Sequence, residues 1–198
     1  MSADRRSTFL YDLGSPYSYL AAERVNGLLT EACGQAPEWQ PVLLGGLFGR
    51  FGRESWGNGP GRAEGMRECE RRASAYGLPP IRWPDPWPPD TLQAMRVATF
   101  AKEIGRTVSF SLAAFRQAFA AGRDLTDPDN VMIAAAAAEM HPRAVAASAQ
   151  RDAVKAALRE ATDRAGDAGV RGVPAMIVAG EVFWGDDRLE DAAEAAAG

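Results

Sequence analysis

Ser15 and Ser18 stand three residues apart in Gly14-Ser15-Pro16-Tyr17-Ser18-Tyr19, at the end of an apolar run, Thr8-Phe9-Leu10-Tyr11-Asp12-Leu13, that alternates like a strand. Ser is a favoured helix N-cap and Pro a favoured first helical residue, so the spacing predicts a helix starting at Ser15. A hydroxyl there sits among unpaired N–H groups at the positive end of a helix, where an anion or a thiolate is stabilised. The plainer reading is that Ser15 only caps its own helix.

Other equipment for catalysis is scarce. The 198 residues include one histidine, His141, and two cysteines, Cys33 and Cys69. They are too few for a multi-histidine metal site, a zinc ribbon or a disulfide framework. Cys33 and Cys69 form no C-x-x-C pair and read as reduced, partly buried thiols. His141 precedes Pro142 at a helix junction, and Ser55 lacks a G-x-S-x-G frame. The run Gly57-Asn58-Gly59-Pro60-Gly61-Arg62 lacks the last glycine of a dinucleotide fingerprint and no strand leads into it. A net charge of −4 without a basic block argues against nucleic acid as a partner. No apolar run is long enough for a membrane span, and the N-terminal residues lack the apolar core of a signal peptide, so a cytoplasmic protein is expected.

The elements that must position Ser15 follow from periodicity and punctuation. Leu20, Ala21, Val25, Leu28 and Leu29 continue one helix to a stop at Gly34, and Trp39-Gln40-Pro41-Val42-Leu43-Leu44 reads as a second strand, which makes a βαβ unit with a parallel pair. Seven glycines between Gly45 and Gly61 predict a flexible or tightly turning loop. A helix is expected near Arg62 to Ala75, then an extended proline-rich connection from Pro79 to Pro89. Further helices run from a cap at Asp90 to Ile104, from a cap at Thr107 or Ser109 through Phe119, from Asp127-Pro128 through the alanines 134 to 138, and from Pro142 towards Asp167 with an interruption near Ser148. Val173 to Val178 and Glu181 to Trp184 predict a hairpin turning at Ala179-Gly180, and Asp187 with Glu190 has capping-box spacing for a last helix. The order βαβ, helices, ββα predicts an α/β protein: a discontinuous sheet domain, residues 1–61 and 166–198, with a large all-helical insertion at 62–165.

That order, with a Val-Pro before the third strand, resembles the thioredoxin-like fold of the bacterial disulfide oxidoreductases, with Ser15 and Ser18 where those enzymes carry a Cys-x-x-Cys. The segments from Asp12 to Ala21, from Gly169 to Pro174 and from Phe183 to Leu189 are similar to those of the 2-hydroxychromene-2-carboxylate isomerases and the kappa-class glutathione transferases. The resemblance implies a dimeric enzyme of aromatic catabolism that uses glutathione or another low-molecular-weight thiol and isomerises an unsaturated aromatic acid by reversible thiolate addition. It implies that Ser15 donates to the thiol sulfur, that Val173 pairs its backbone with the thiol's cysteinyl part beside a cis Pro174, and that Asp186 and Asp187 hold its γ-glutamyl end. Asn58 is expected to reach the substrate, in a region where the family's Asn-Pro-x-Lys-like motif is not kept and Arg62 stands nearest the missing lysine. Trp83 and Trp87 either wall an aromatic pocket or simply cover the helical part. Two other readings are a kappa-like transferase that conjugates electrophiles, and a redox-inactive protein that holds an extended peptide on the Val173-Pro174 edge.

Overall fold

The computed structural model describes residues 7–198. A four-stranded sheet has the order β2-β1-β3-β4, from β1 (Thr8–Tyr11), β2 (Glu38–Pro41), β3 (Ala175–Val178) and β4 (Glu181–Trp184). β1 and β2 are parallel, with Phe9 opposite Trp39, and β3 is antiparallel to both β1 and β4. The hairpin turns at Ala179 and Gly180, both at positive φ, as a two-residue loop requires.

Alternation along β1 sends its side chains to two cores. Phe9 and Tyr11 face a large core with Trp39, Leu20, Val25, Phe110 and Phe115, so the sheet and the inserted helices share one apolar interior. Leu10 faces a smaller core with Val42, Leu47, Ala161, Ala165 and Ala175. The Tyr11 hydroxyl crosses the large core to Ser111 at 2.6 Å and Thr107 at 3.1 Å, and burial pushes its pKa up to about 12.

The helices are α1 (Pro16–Ala22), α2 (Val25–Cys33), α3 (Leu44–Phe51), α4 (Arg62–Ala75), α5 (Leu92–Glu103), α6 (Thr107–Phe115), α7 (Pro128–Ala137), α8 (Pro142–Ser148), α9 (Asp152–Asp167) and α10 (Leu189–Ala197). A π-helical turn, Arg116–Ala120, extends α6, and short 3-10 turns occupy Trp56–Asn58 and Asp186–Arg188. The α4 boundaries, the Asp127 cap, the break after Ser148 and the hairpin match the sequence reading. No helix among the described residues is long and apolar enough to cross a membrane.

Five expectations need correction. The single helix expected up to Gly34 breaks at Glu23 and Arg24, where the Arg24 N–H bonds to the Ala21 carbonyl three residues back; the Arg24 guanidinium lies over the Tyr76 ring, 3.8 Å away, and pairs with Glu190. The second strand ends at Pro41, and the glycine-rich stretch starts with helix α3 rather than a loop. Its Leu44, Leu47, Phe48 and Phe51 recur at helical spacing with Leu47 fully buried, while a Cβ on Gly46 would come within 3.0 Å of Thr162 on α9. Glycine there permits close helix packing, which offsets its poor helix propensity. Neither Thr107 nor Ser109 caps α6, whose cap position is Arg106. Asp187 and Glu190 form no capping box among the described hydrogen bonds; their carboxylates go to Arg72 and Arg24.

Candidate functional site

A cleft of about 920 Å³ opens where the ends of β1 and β4 meet the β1–α1 turn, α3 and the two segments flanking α4. It is lined by Ser15, Asn58, Val173, Pro174, Asp186 and Asp187, so the fold brings every sequence-predicted site residue to one place. Trp87 also lines it, whereas Trp83 lies behind Trp87 with ring centres 4.8 Å apart and donates its indole N–H to Glu70. Arg62 does not line it: its guanidinium clamps the carbonyls of Gly57 and Trp87.

Ser15 is 4% exposed and extended (φ −91°, ψ 116°), and its Oγ accepts the Ser18 N–H at 3.1 Å as the N-cap of α1. The cap uses an oxygen lone pair and leaves the hydroxyl proton, whose nearest acceptor is the Val173 carbonyl at 3.4 Å. That contact is long for an O–H···O bond, so a better acceptor entering the cleft takes the proton. The Val173–Pro174 peptide is cis. With α1 only seven residues long, stabilisation of an anion falls to this hydroxyl and nearby amides rather than to a long helix dipole. Ser18 Oγ is fully buried, outside the cleft lining, and has no partner among the described residues.

Sequence reasoning missed Asp12, the residue that builds the turn around Ser15. Its buried carboxylate accepts from Gly14 N at 2.8 Å and Thr91 Oγ1 at 2.9 Å on one oxygen, and from Leu44 N at 2.8 Å on the other. Three segments of the cleft wall thus converge on one side chain. Desolvation raises its pKa, against the three donors that favour the ionised form. A Cβ on Gly14 would meet Thr91 Cγ2 at 2.8 Å, so glycine is needed for this approach.

Asp186 and Asp187 follow Gly185, whose N–H is held by the Pro174 carbonyl at 3.0 Å, and this bond places the acidic pair next to the cis proline. Asp186 is 1% exposed; its two oxygens accept from Arg72 Nη1 at 2.7 Å and Tyr76 OH at 2.9 Å. Burial raises its pKa and Arg72 opposes the rise. Asp187, 55% exposed, also lies 3.3 Å from Arg72. Arg72 on α4, further held by Glu68, therefore joins the inserted helices to the site. Nothing local in the sequence marks it, since an arginine on a charged helix face reads as solvated.

One wall is aromatic: Trp56 packs against Trp87 with centroids 4.9 Å apart and against Tyr17 at 6.1 Å. Gly65 and Gly57 make the room, because a Cβ on either would fall 2.5 to 2.6 Å from Trp56 or Trp87. Trp184, 46% exposed and also in the lining, carries the Arg53 guanidinium over its ring at 4.5 Å. The aromatic-pocket alternative thus fits Trp87, and Trp56, Trp184 and Arg53 are additions to the sequence reading. Cys69, outside the cleft lining, is buried and its thiol is pushed up to about 12; Cys33 is exposed and the two are unbonded.

In sequence the chain is 27% identical over 188 residues to a 2-hydroxychromene-2-carboxylate isomerase of Sphingobium xenophagum, covering 92% of this chain and 93% of that protein. Among solved structures, a 2-hydroxychromene-2-carboxylate isomerase superposes with a TM-score of 0.82 at 20% identity, over 92% of this chain and 90% of the other. A probable DsbA oxidoreductase of Streptomyces coelicolor superposes with a TM-score of 0.71 at 21% identity, over 96% and 89%. These two likenesses are of fold. Residues 8–197 match the family model described as DSBA-like thioredoxin domain, and the chain belongs to that family.

Proposed function

We propose that this protein is an isomerase of an unsaturated aromatic acid, of the 2-hydroxychromene-2-carboxylate type, that works with glutathione or a similar small thiol. The observation that carries the reading is the meeting, in one cleft, of the Ser15 hydroxyl, the Val173 backbone at a cis proline and a wall of Trp56 and Trp87. The similarity in sequence to an isomerase supports the reaction class.

The residues present fit such a thiol. Ser15 offers a proton to sulfur, the Val173 edge suits an extended peptide backbone, and Asp187 supplies an exposed carboxylate for an ammonium group. The cleft volume is at the upper end of small-ligand pockets and leaves room for a planar ring beside the thiol. When bound, the thiol supplies a nucleophile that adds reversibly to a conjugated double bond and so permits rotation about it.

The chain's own contribution is positioning and electrostatics. Ser15 donates its hydroxyl proton to sulfur and favours the ionised form. Asp12 fixes the turn that aims Ser15, and Trp56 and Trp87 hold a flat substrate and exclude water from one side. Absorbance of 2-hydroxychromene-2-carboxylate, followed with and without glutathione, tests the reading. Thiol-dependent isomerisation with glutathione recovered unchanged is the expected result; consumption of glutathione into a conjugate, or no turnover, overturns it.

A further inference from the structure

Among the described residues that line the cleft, the cations are Arg53 and Arg72, set against Asp12, Glu54, Asp90, Asp186 and Asp187. Arg72 is committed to Glu68, Asp186 and Asp187, and the Asp12 oxygens are filled by backbone and Thr91 donors. Arg62, outside the lining, is turned onto the carbonyls of Gly57 and Trp87. Arg53 differs from all of these. Its one hydrogen bond among the described residues is from Nη1 to the Arg171 carbonyl at 3.3 Å, and it makes no ion pair among them. A guanidinium carries five N–H donors in a plane, so most of its donor capacity remains.

Its orientation is fixed without being neutralised. The guanidinium lies over the Trp184 indole at 4.5 Å, and that indole rests edgewise over Gly172, where a Cβ would approach Nε1 to 3.0 Å. The indole face and one carbonyl bond hold the guanidinium in the cleft lining, where the other cation, Arg72, is already paired. We infer that Arg53, stacked on Trp184, is the carboxylate anchor of the cleft. The inference rests on the thiol-dependent reading for its choice of ligands, and two of them bear a suitable group: the aromatic acid, and the C-terminal glycine of the thiol. A planar fork pairs with either carboxylate through two parallel N–H···O bonds.

Isothermal titration separates these sources and separates this inference from the thiol reading. Wild type, Arg53→Met and Arg53→Lys are each titrated with trans-cinnamate, trans-cinnamamide, glutathione and glutathione ethyl ester, whose glycine carboxylate is blocked; thermal melts confirm folding. The expected result is that wild type prefers a free carboxylate over its neutral partner by about tenfold or more, from one charge-assisted pair. Arg53→Met removes that preference with the melting temperature unchanged, and Arg53→Lys keeps part of it. Loss confined to the cinnamate pair assigns the anchor to the aromatic acid, and loss confined to the glutathione pair assigns it to the thiol. A preference that survives in Arg53→Met, or no preference for a carboxylate in wild type, overturns the inference. If no form binds glutathione while the cinnamate preference vanishes with Arg53, the thiol reading fails and the anchor stands.

Discussion

The Ser15 hydroxyl and the Val173 carbonyl, 158 positions apart in the chain, lie 3.4 Å from each other across the floor of the cleft. The contact exists because β1 and β3 are antiparallel neighbours in the sheet: β1 runs out into the turn that carries Ser15, and at the same end the segment that carries Val173 runs into β3. It joins the hydroxyl donor to the backbone edge, the two features on which the proposed thiol site depends. Replacing Ser15 therefore tests function and stability separately. Ser15→Ala loses an N-cap worth about 1 kcal/mol, a fall of a few degrees in melting temperature for a chain of this size. The same change is expected to lower kcat about 100-fold, as loss of one donor to a developing anion does elsewhere. Steady-state rates beside thermal melts check it; a rate loss no larger than the stability change implies would leave Ser15 as a cap alone.

Asp12 predicts a pH dependence with a definite sign. Its folded pKa lies above the ordinary aspartate value of 3.8 because burial penalises the charge. Its linkage contribution is therefore fully present below the unfolded pKa and is lost as pH rises through the elevated folded value. Asp12→Asn removes this titration and leaves the Leu44 N–H without its acceptor, a loss of about 1 to 3 kcal/mol. The stability advantage of wild type over Asp12→Asn should shrink from pH 4 upward in denaturant titrations. An advantage that grows with pH contradicts the assignment.

Arg72 and Asp186 should behave as a coupled pair. Arg72→Met strands a carboxylate that is 1% exposed, and breaking such a pair costs about 3 to 5 kcal/mol. Adding Asp186→Asn to Arg72→Met should recover part of that loss, which a double-mutant cycle measures. Additive losses would show that the two are not coupled.

Gly65→Ala opposes two effects of known size. Alanine in a helix interior gains about 1 kcal/mol over glycine, but the added Cβ would lie 2.5 Å from the Trp56 ring, and overpacking costs about 1 to 3 kcal/mol. The clash should win: the variant is expected to melt lower and to bind trans-cinnamate more weakly as Trp56 shifts. A higher melting temperature with unchanged affinity would show that Trp56 does not shape the cleft.

The two thiols should be dispensable. Cys69 is buried with its pKa pushed up to about 12, so it is no nucleophile near neutral pH. Iodoacetamide should modify Cys33 and spare Cys69 in the folded protein, and Cys33→Ala with Cys69→Ala should keep its activity. Loss of activity in a folded double variant would place the reactive sulfur in the chain.

What the sequence made legible was what neighbouring residues decide. The Ser15-Pro16 and Asp127-Pro128 starts, the ends of α4 and the Ala179-Gly180 hairpin are all local punctuation. Helix α3 was hidden because it carries three glycines, and only one of them, Gly46, has a packing reason, its approach to Thr162, a partner far along the chain. The break between α1 and α2 was hidden because Ala21 to Val25 contains no glycine or proline to mark it. The resemblance, which covers both halves of the sheet, pointed to Ser15, Val173, Pro174, Asp186 and Asp187, and all five line one cleft. Asp12, Arg72 and Arg53 act through partners that no local pattern reveals.

The central claim, that the reactive sulfur arrives with a small thiol held at Ser15 and Val173, is tested most directly by isothermal titration of glutathione into wild type and Ser15→Ala near neutral pH. Saturable one-to-one binding by wild type, with proton release that Ser15→Ala largely loses, is the predicted result. Absence of binding to folded wild type, or identical affinity and proton release in both proteins, would contradict it.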